Sequence, residues 1–245
     1  MIDLHNHILP GIDDGARDMA EALAMAKAAV ASGTTALAAT PHRFWHNREQ
    51  KAPQVLERVA TLQAELDARE IRLKIIPATE IPMGPDVAVG LRDNTLLRFG
   101  GDEGTHALIE TPFDRLPSNA ITLLEDLVAS GIIPVLAHPE RSTEIQHDLA
   151  FIETASAVGA MLQLTTGSIL GHFGDRPRRT ARAIAERTDW RIIIASDAHW
   201  AHDRTVTHMR EAAQVVAAWI GDPSRAAWMI VDGPASCVPA RFRQV

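Results

Sequence analysis

Short apolar runs alternate with longer amphipathic stretches along almost the whole chain. Residues 2–4 read as a first strand. Asp18, with Glu21 three residues on, forms a capping-box signature, with Asp where Ser or Thr is commoner. The Ala- and Met-rich segment that follows is expected to be helical as far as Ser32, and Gly33 suits the position just past a helix end. Residues 35–40 read as strand two, 53–69 as a polar-faced helix, 73–78 as strand three and 107–109 as strand four. A helix over 121–130, closed by Gly131, leads into strand five at 133–137. Residues 148–158 with Gly159 repeat that pattern before strand six at 161–164. A helix at 178–187, strand seven at 191–195 and a helix at 207–220 complete the series. The least regular stretch, 82–105, reads as a loop with a short helix.

Helix and strand thus alternate about seven times with short links, which implies a parallel sheet. The pattern leaves open whether the sheet is doubly wound or closed into a barrel. With 245 residues, 46% of them hydrophobic, the chain suits one large α/β domain over 1–245. No apolar stretch is long enough for a membrane span, so no membrane insertion is expected. The N-terminus lacks the basic and apolar regions of a signal peptide. The single cysteine, Cys237, excludes an intrachain disulfide and a thiolate zinc cluster, and points to a cytoplasmic protein. A net charge of −7 argues against a nucleic-acid partner. That charge reads either as a solubility feature or as carboxylates that bound metal ions would neutralise. Tyrosine is absent, so the chain is not its own phosphotyrosine substrate.

Chemistry-bearing residues recur at the ends of these strands. His5 and His7 end strand one, with Asp13, Asp14 and Gly15 beyond. His42 follows strand two, Glu80 ends strand three and Glu110 ends strand four. His138, Glu140 and Arg141 follow strand five, and Asp197 and His199 follow strand seven. In parallel α/β folds, ligands bind at the carboxyl ends of the strands, where the loops converge. Residues this polar are rarely buried together unless something cationic pairs with them. In His5-Asn6-His7 the two rings lie on one side of a strand, and Asp197 and His199 repeat that spacing. The joint pattern points to a metal centre. A set of His, Asp and Glu ligands without sulfur suits manganese, iron or zinc over copper or a closed structural zinc site.

The segment HNHILPGIDDG at residues 5–15 resembles the opening signature of the polymerase-and-histidinol-phosphatase (PHP) superfamily. ATPH at 39–42, EI at 80–81, ALIE at 107–110, PVLAHPER at 134–141, LTTGSILGHFG at 164–174 and ASDAH at 195–199 look like successive blocks of one subfamily. That subfamily is the manganese-dependent protein-tyrosine phosphatases of bacterial capsule and exopolysaccharide operons. The resemblance implies a distorted (β/α)7 barrel with three divalent metal ions, manganese first and iron or zinc as alternatives. By position, His5, His7, Glu80 and Asp197 would hold one ion. Glu80 would bridge to a second with Glu110 and His138, and Asp14, His42 and His199 would hold a third. Asp14 matches the family position, and Asp13 reads as a turn residue. The implied partner is a tyrosine-phosphorylated protein, an autophosphorylating tyrosine kinase of polysaccharide export. Two departures fall at the rim. Pro82 and Met83 stand where a basic residue is common, and Arg43-Phe44-Trp45-His46 replaces a polar, glycine-containing stretch.

The implied reaction is hydrolysis of a phosphate monoester. Arg141 and Arg204 are candidate phosphate contacts, since a guanidinium binds two oxygens at once; for Arg204 a surface ion pair is the competing reading. A phenol leaves with a pKa of about 10, so phosphotyrosine needs little help from a general acid. His202 is the available acid, or simply an exposed loop residue. Phe44, Trp45 and Trp200 form either an apolar wall for a phenyl ring or ordinary packing under the loops. Cys237 and Arg243 match the spacing of cysteine-dependent phosphatases. No glycine-rich loop or following helix accompanies them, so the match reads as coincidence. Two alternatives stand beside the phosphotyrosine reading. One is a histidinol-phosphatase-like enzyme acting on a small molecule, and the other is a regulator that binds metal or phosphotyrosine without turnover.

Overall fold

Apart from one two-residue hairpin, the strand pairings are parallel, as the helix–strand alternation requires. The computed structural model describes residues 1–200 and 205–243. Its strands are β1 (Ile2–Asn6), β2 (Ala36–Ala39), β3 (Phe44–Trp45), β4 (Arg48–Glu49) and β5 (Lys74–Pro77). They continue with β6 (Glu80–Pro82), β7 (His106–Glu110), β8 (Ile133–Ala137), β9 (Met161–Thr165) and β10 (Ile192–Ala195). One sheet has the order β1-β2-β5 and the other β10-β9-β8-β7-β6, while β3 and β4 form the hairpin.

The strand expected at 73–78 breaks after Pro77, β5 pairing with β2 and β6 with β7. The two sheets therefore meet inside one stretch of chain. There Glu80 N donates to Pro41 O (3.1 Å) and Arg43 N to Glu80 O (3.0 Å). At the other edge, Asp197 N donates to His5 O and His7 N to Ala198 O, both at 2.9 Å. Isolated bridges, not continuous ladders, tie the sheets at both seams. This is the sense in which the (β/α)7 arrangement is distorted.

Leu4, Ala38, Ile76, Leu108, Val135, Met161 and Ile193, drawn from all seven strand positions, share one buried cluster with Cys237, Val238 and Phe242. Residues of opposite parity, such as Leu37 and Ile75 or Leu136, Leu162 and Ile194, pack in two further clusters with the helices. An apolar plug thus fills the space between the strands, and the polar ends stand beyond it.

The helix Met19–Ala31 begins as expected, with Asp18 accepting from Glu21 N at 2.9 Å, a cap worth about 1 kcal/mol. The reciprocal half of the box is absent, because Glu21 accepts from Arg17 N (2.8 Å) and Arg17 Nε (3.0 Å) instead. The helix expected over 148–158 spans Ala150–Ala157, and a separate short helix, Thr143–His147, precedes it. Asp148 is extended between them, and its carboxylate accepts from Ala150 N at 2.9 Å. The helices Thr166–Leu170, Pro223–Trp228 and Asp232–Ser236 fall outside the periodicity-based expectation.

Candidate metal centre

The ligand-type residues converge because each strand or its following loop delivers one or two of them to the same end of the fold. His5 and His7 leave β1 wholly buried, after a register irregularity between Asp3 and Asn6. The loop beyond folds back on His7, with Ala16 N donating to His7 O at 3.0 Å. Gly15 permits that approach, since a Cβ there would collide with the His7 carbonyl oxygen. The loop brings in Asp13 and Asp14. Glu80 opens β6 and does not close strand three as expected, and Glu110 is the last residue of β7. His138 follows β8 with φ 35° and Asp197 follows β10 with φ 52°. Left-handed backbone at such side chains costs about 1–3 kcal/mol each and turns the chain sharply off the strand ends.

Four overlapping groups of ligand atoms result. They are His5, Glu80 and His138; His5, His7 and Asp197; His42, Glu80 and Glu110; and His7, Asp14, His42 and His199. His5 Nε2 lies 3.3 Å from Glu80 Oε1, 3.4 Å from Asp197 Oδ1 and 3.3 Å from His7 Nε2. Asp14 Oδ1 lies 3.3 Å from His199 Nε2 and 3.4 Å from His42 Nε2. Glu80 is shared, with Oε1 3.0 Å from His138 Nε2 and Oε2 2.8 Å from His42 Nδ1. All nine residues expected as ligands take part in these groups. The groups share members more than the implied partition does, since His7 also stands beside Asp14, His42 and His199.

The histidines are oriented from behind. Gln163 donates to Thr165 Oγ1 at 3.1 Å, so its amide oxygen faces His5 Nδ1 at 2.9 Å. Asp13 Oδ2 accepts from His7 Nδ1 at 2.8 Å and from His42 N at 3.0 Å, and Oδ1 accepts from Gly15 N. His199 Nδ1 faces its own loop, 3.0 Å from Asp197 O. With Nδ1 as donor in all three, each Nε2 is left to the cluster. Asp13 is therefore more than the turn residue its position suggested. Asp3 is another buried carboxylate, accepting from Ser196 N (2.9 Å) and Asn6 Nδ2 (3.3 Å) across the β1–β10 seam. The signal for Asp3 and Gln163 was a polar side chain in mid-strand, within IDLHN and MLQLT.

The donor set fits divalent cations. An ion about 2.1 Å from each of two ligands separates them by about 3.0–3.4 Å, the spacing of the Nε2 and carboxylate atoms here. His5 and His7 turn their Nε2 atoms toward each other with Nδ1 committed elsewhere, and buried His138 Nδ1 has no hydrogen-bond partner among the described residues. Burial disfavours charge on His5, but Glu80 and Asp197 outweigh it and raise its pKa to about 9. For His42, burial is likewise outweighed, by Asp14 and Glu80, and its pKa rises to about 11. His7 moves the other way, to about 4, through burial and the nearby His199. Burial beside Glu80 raises Glu110 to about 7. Metal binding would displace such protons.

Around the cluster, Arg141 donates to Asp197 Oδ2 at 2.9 Å and lies between the Phe113 and Phe173 rings, 4.6 and 4.4 Å from their centroids. Phe113, unremarked in the sequence, also stacks on His138. Trp45 stacks on His42 at 5.8 Å, Trp200 meets His199 edge-on, and Phe44 is exposed under Arg43. Arg204 and His202 lie outside the described residues. Cys237 is buried with Met161 and Gly233, and burial pushes its thiol up to about 12, the reverse of an activated nucleophile.

The family model for capsular polysaccharide synthesis, CpsB/CapC, matches residues 1–237. The tyrosine-protein phosphatase YwqE of Bacillus subtilis is 37% identical over 88% of this chain and 84% of its own length. The tyrosine-protein phosphatase CpsB of Streptococcus pneumoniae is 26% identical over 96% of each chain. A crystal structure from the work on B. subtilis YwqE and S. pneumoniae CpsB, described as unique metal-dependent tyrosine phosphatases, superposes with a TM-score of 0.91. It is 33% identical, covering 100% of this chain and 96% of the other. The chain belongs to the CpsB/CapC family.

Proposed function

We propose that this protein is a metal-dependent protein-tyrosine phosphatase that hydrolyses phosphotyrosine monoesters. Three divalent ions, manganese first, are held by His5, His7, Asp14, His42, Glu80, Glu110, His138, Asp197 and His199. The reading rests chiefly on one observation, the four overlapping ligand groups at the carboxyl ends of the strands. Its relatives are phosphatases by name, and one is metal-dependent. The same reading includes a cytoplasmic location and, as partner, an autophosphorylating tyrosine kinase of polysaccharide export. No helix among the described residues is long and apolar enough to cross a membrane.

Bound divalent ions would supply Lewis acidity to the phosphate and acidify a water. The chain's own residues do the rest. Asp13 and Gln163 hold the His7 and His5 rings in the tautomers that present Nε2. Arg141, clamped by Asp197 and two rings, presents its remaining N–H groups to phosphate oxygens. Trp45, stacked on the more open His42, supplies an apolar face beside the solvent-side ligands. The phenolate leaves with little need of a proton, which suits a chain in which no general acid stands out.

A panel tests the reading. Manganese-loaded protein should release phosphate from phosphotyrosine peptides and from p-nitrophenyl phosphate. It should do so far faster than from histidinol phosphate. Preference for histidinol phosphate would favour the small-molecule alternative, and binding without turnover would favour the regulator.

A further inference from the structure

A separate cavity of about 460 Å³ opens between the helices Thr143–His147 and Asp175–Ala185. Its polar lining includes His147, Asp148, Arg176, Arg179 and Thr180. Arg176 and Arg179 are exposed and, among the described residues, form no ion pair or side-chain hydrogen bond. The same helix shows the contrast one turn on, where Arg182 pairs with Glu186 at 2.8 Å. Arg17 and Glu21 pair likewise at 3.0 Å. Asp175, four residues before Arg179, is not used in this way. The one carboxylate in the lining, Asp148, is engaged with Ala150 N at 2.9 Å.

The two helices that border the cavity begin close to Arg141. The first helix begins two residues after Arg141, and the second follows Phe173, whose ring lies against Arg141. The second helix also packs on Pro139–Arg141. In a parallel fold, segments that leave the carboxyl ends of strands begin on the ligand-binding face. Arg176, in the first turn after that loop, therefore starts from the face that carries the ligands, with Arg179 three residues further along the helix.

We propose that this cavity docks acidic side chains that flank the phosphotyrosine of the substrate polypeptide. The proposal rests on the phosphatase reading and adds a substrate class to it. Guanidinium forks match carboxylates in geometry and charge. A chain of net charge −7 repels acidic polypeptides at long range, so a local positive site at the rim is what would steer one in. Each exposed pair contributes little, and two together suffice for a KM preference of about five- to tenfold.

The test compares the manganese-loaded parent with an Arg176→Glu/Arg179→Glu double variant. Substrates are phosphotyrosine peptides flanked by glutamates, by neutral residues or by lysines, and p-nitrophenyl phosphate. The parent should favour the glutamate peptide by about five- to tenfold in KM at low salt, less at high salt. The variant should lose or invert that preference while hydrolysing p-nitrophenyl phosphate at the parental rate, which also shows that it is folded. The same peptide preference in both proteins would overturn the docking site and leave the phosphatase reading intact. Failure of both proteins on every phosphotyrosine peptide would overturn both.

Discussion

His5, Glu80 and His138 are shut away from solvent, whereas the neighbouring group of His7, Asp14, His42 and His199 opens outward through two of its members. The Asp14 side chain is 31% exposed and the His42 side chain 22%. The buried group is braced by Gln163 behind His5 and by the seam at Glu80, whose N–H and C=O both bond to the loop around His42. The open group is braced by Asp13, behind His7 and at His42 N, and by the backbone behind His199. Catalytic metal sites keep a position open and structural ones do not. On the proposed reading, the inner group would retain cations and the outer one would admit phosphate and water. Glu80, which reaches both, couples them.

The largest effect should follow removal of that coupling. Glu80→Ala should lower kcat/KM for p-nitrophenyl phosphate by at least about 100-fold and reduce bound metal, read by kinetics with elemental analysis in parallel. Near-parental rate with full occupancy would show that the two groups are not joined there. Asp14→Asn should separate them. A rate loss of roughly 10–100-fold is expected while the inner group keeps its metal, so stoichiometry should fall by less than in Glu80→Ala. Equal metal loss in both variants would erase the distinction between inner and outer groups. Gln163→Leu should act more mildly, weakening metal affinity by about tenfold through loss of the His5 orientation. Titration of stripped protein with manganese checks this, and unchanged affinity would show that His5 needs no such brace.

The smallest effect lies away from both groups and calibrates them. His106, at the start of β7, is buried, and burial lowers its pKa to about 4 from the ordinary 6.5. The unfolded chain then binds the proton first. Stability is complete above about pH 6.5 and falls as pH drops toward 4, by about 2 kcal/mol at pH 5. Denaturation of metal-free His106→Gln should show that much less acid destabilisation than the parent between pH 7 and pH 5. An identical acid limb in both proteins would mean that the carboxylate–histidine cluster alone sets it.

The repeating units and their ligand-bearing ends were legible in the chain because both are local signals. Periodicity marks Ile133–Ala137 to the residue, and HNH, ATPH and ASDAH carry their chemistry within a few positions. What was not legible depends on partners far apart in sequence. Gln163 meets His5 across 158 residues and Ser196 meets Asp3 across 193, and nothing near either residue marks the pairing. The break after Pro77 likewise follows from tertiary pairing, since β5 and β6 answer to different neighbours. Asp13 lies beside Asp14 in sequence, yet only the folded loop separates a brace for His7 from a group aimed at the cations.

The central claim is that catalysis belongs to this carboxylate–histidine cluster and not to the lone thiol. The most direct measurement is phosphate release from a phosphotyrosine peptide by chelator-stripped parent and Cys237→Ser protein, before and after manganese is restored. The account predicts no turnover from either stripped protein, and rates within a few-fold of each other once manganese returns. A stripped parent that still turns over, together with a Cys237→Ser variant that stays inactive with manganese present, would contradict it.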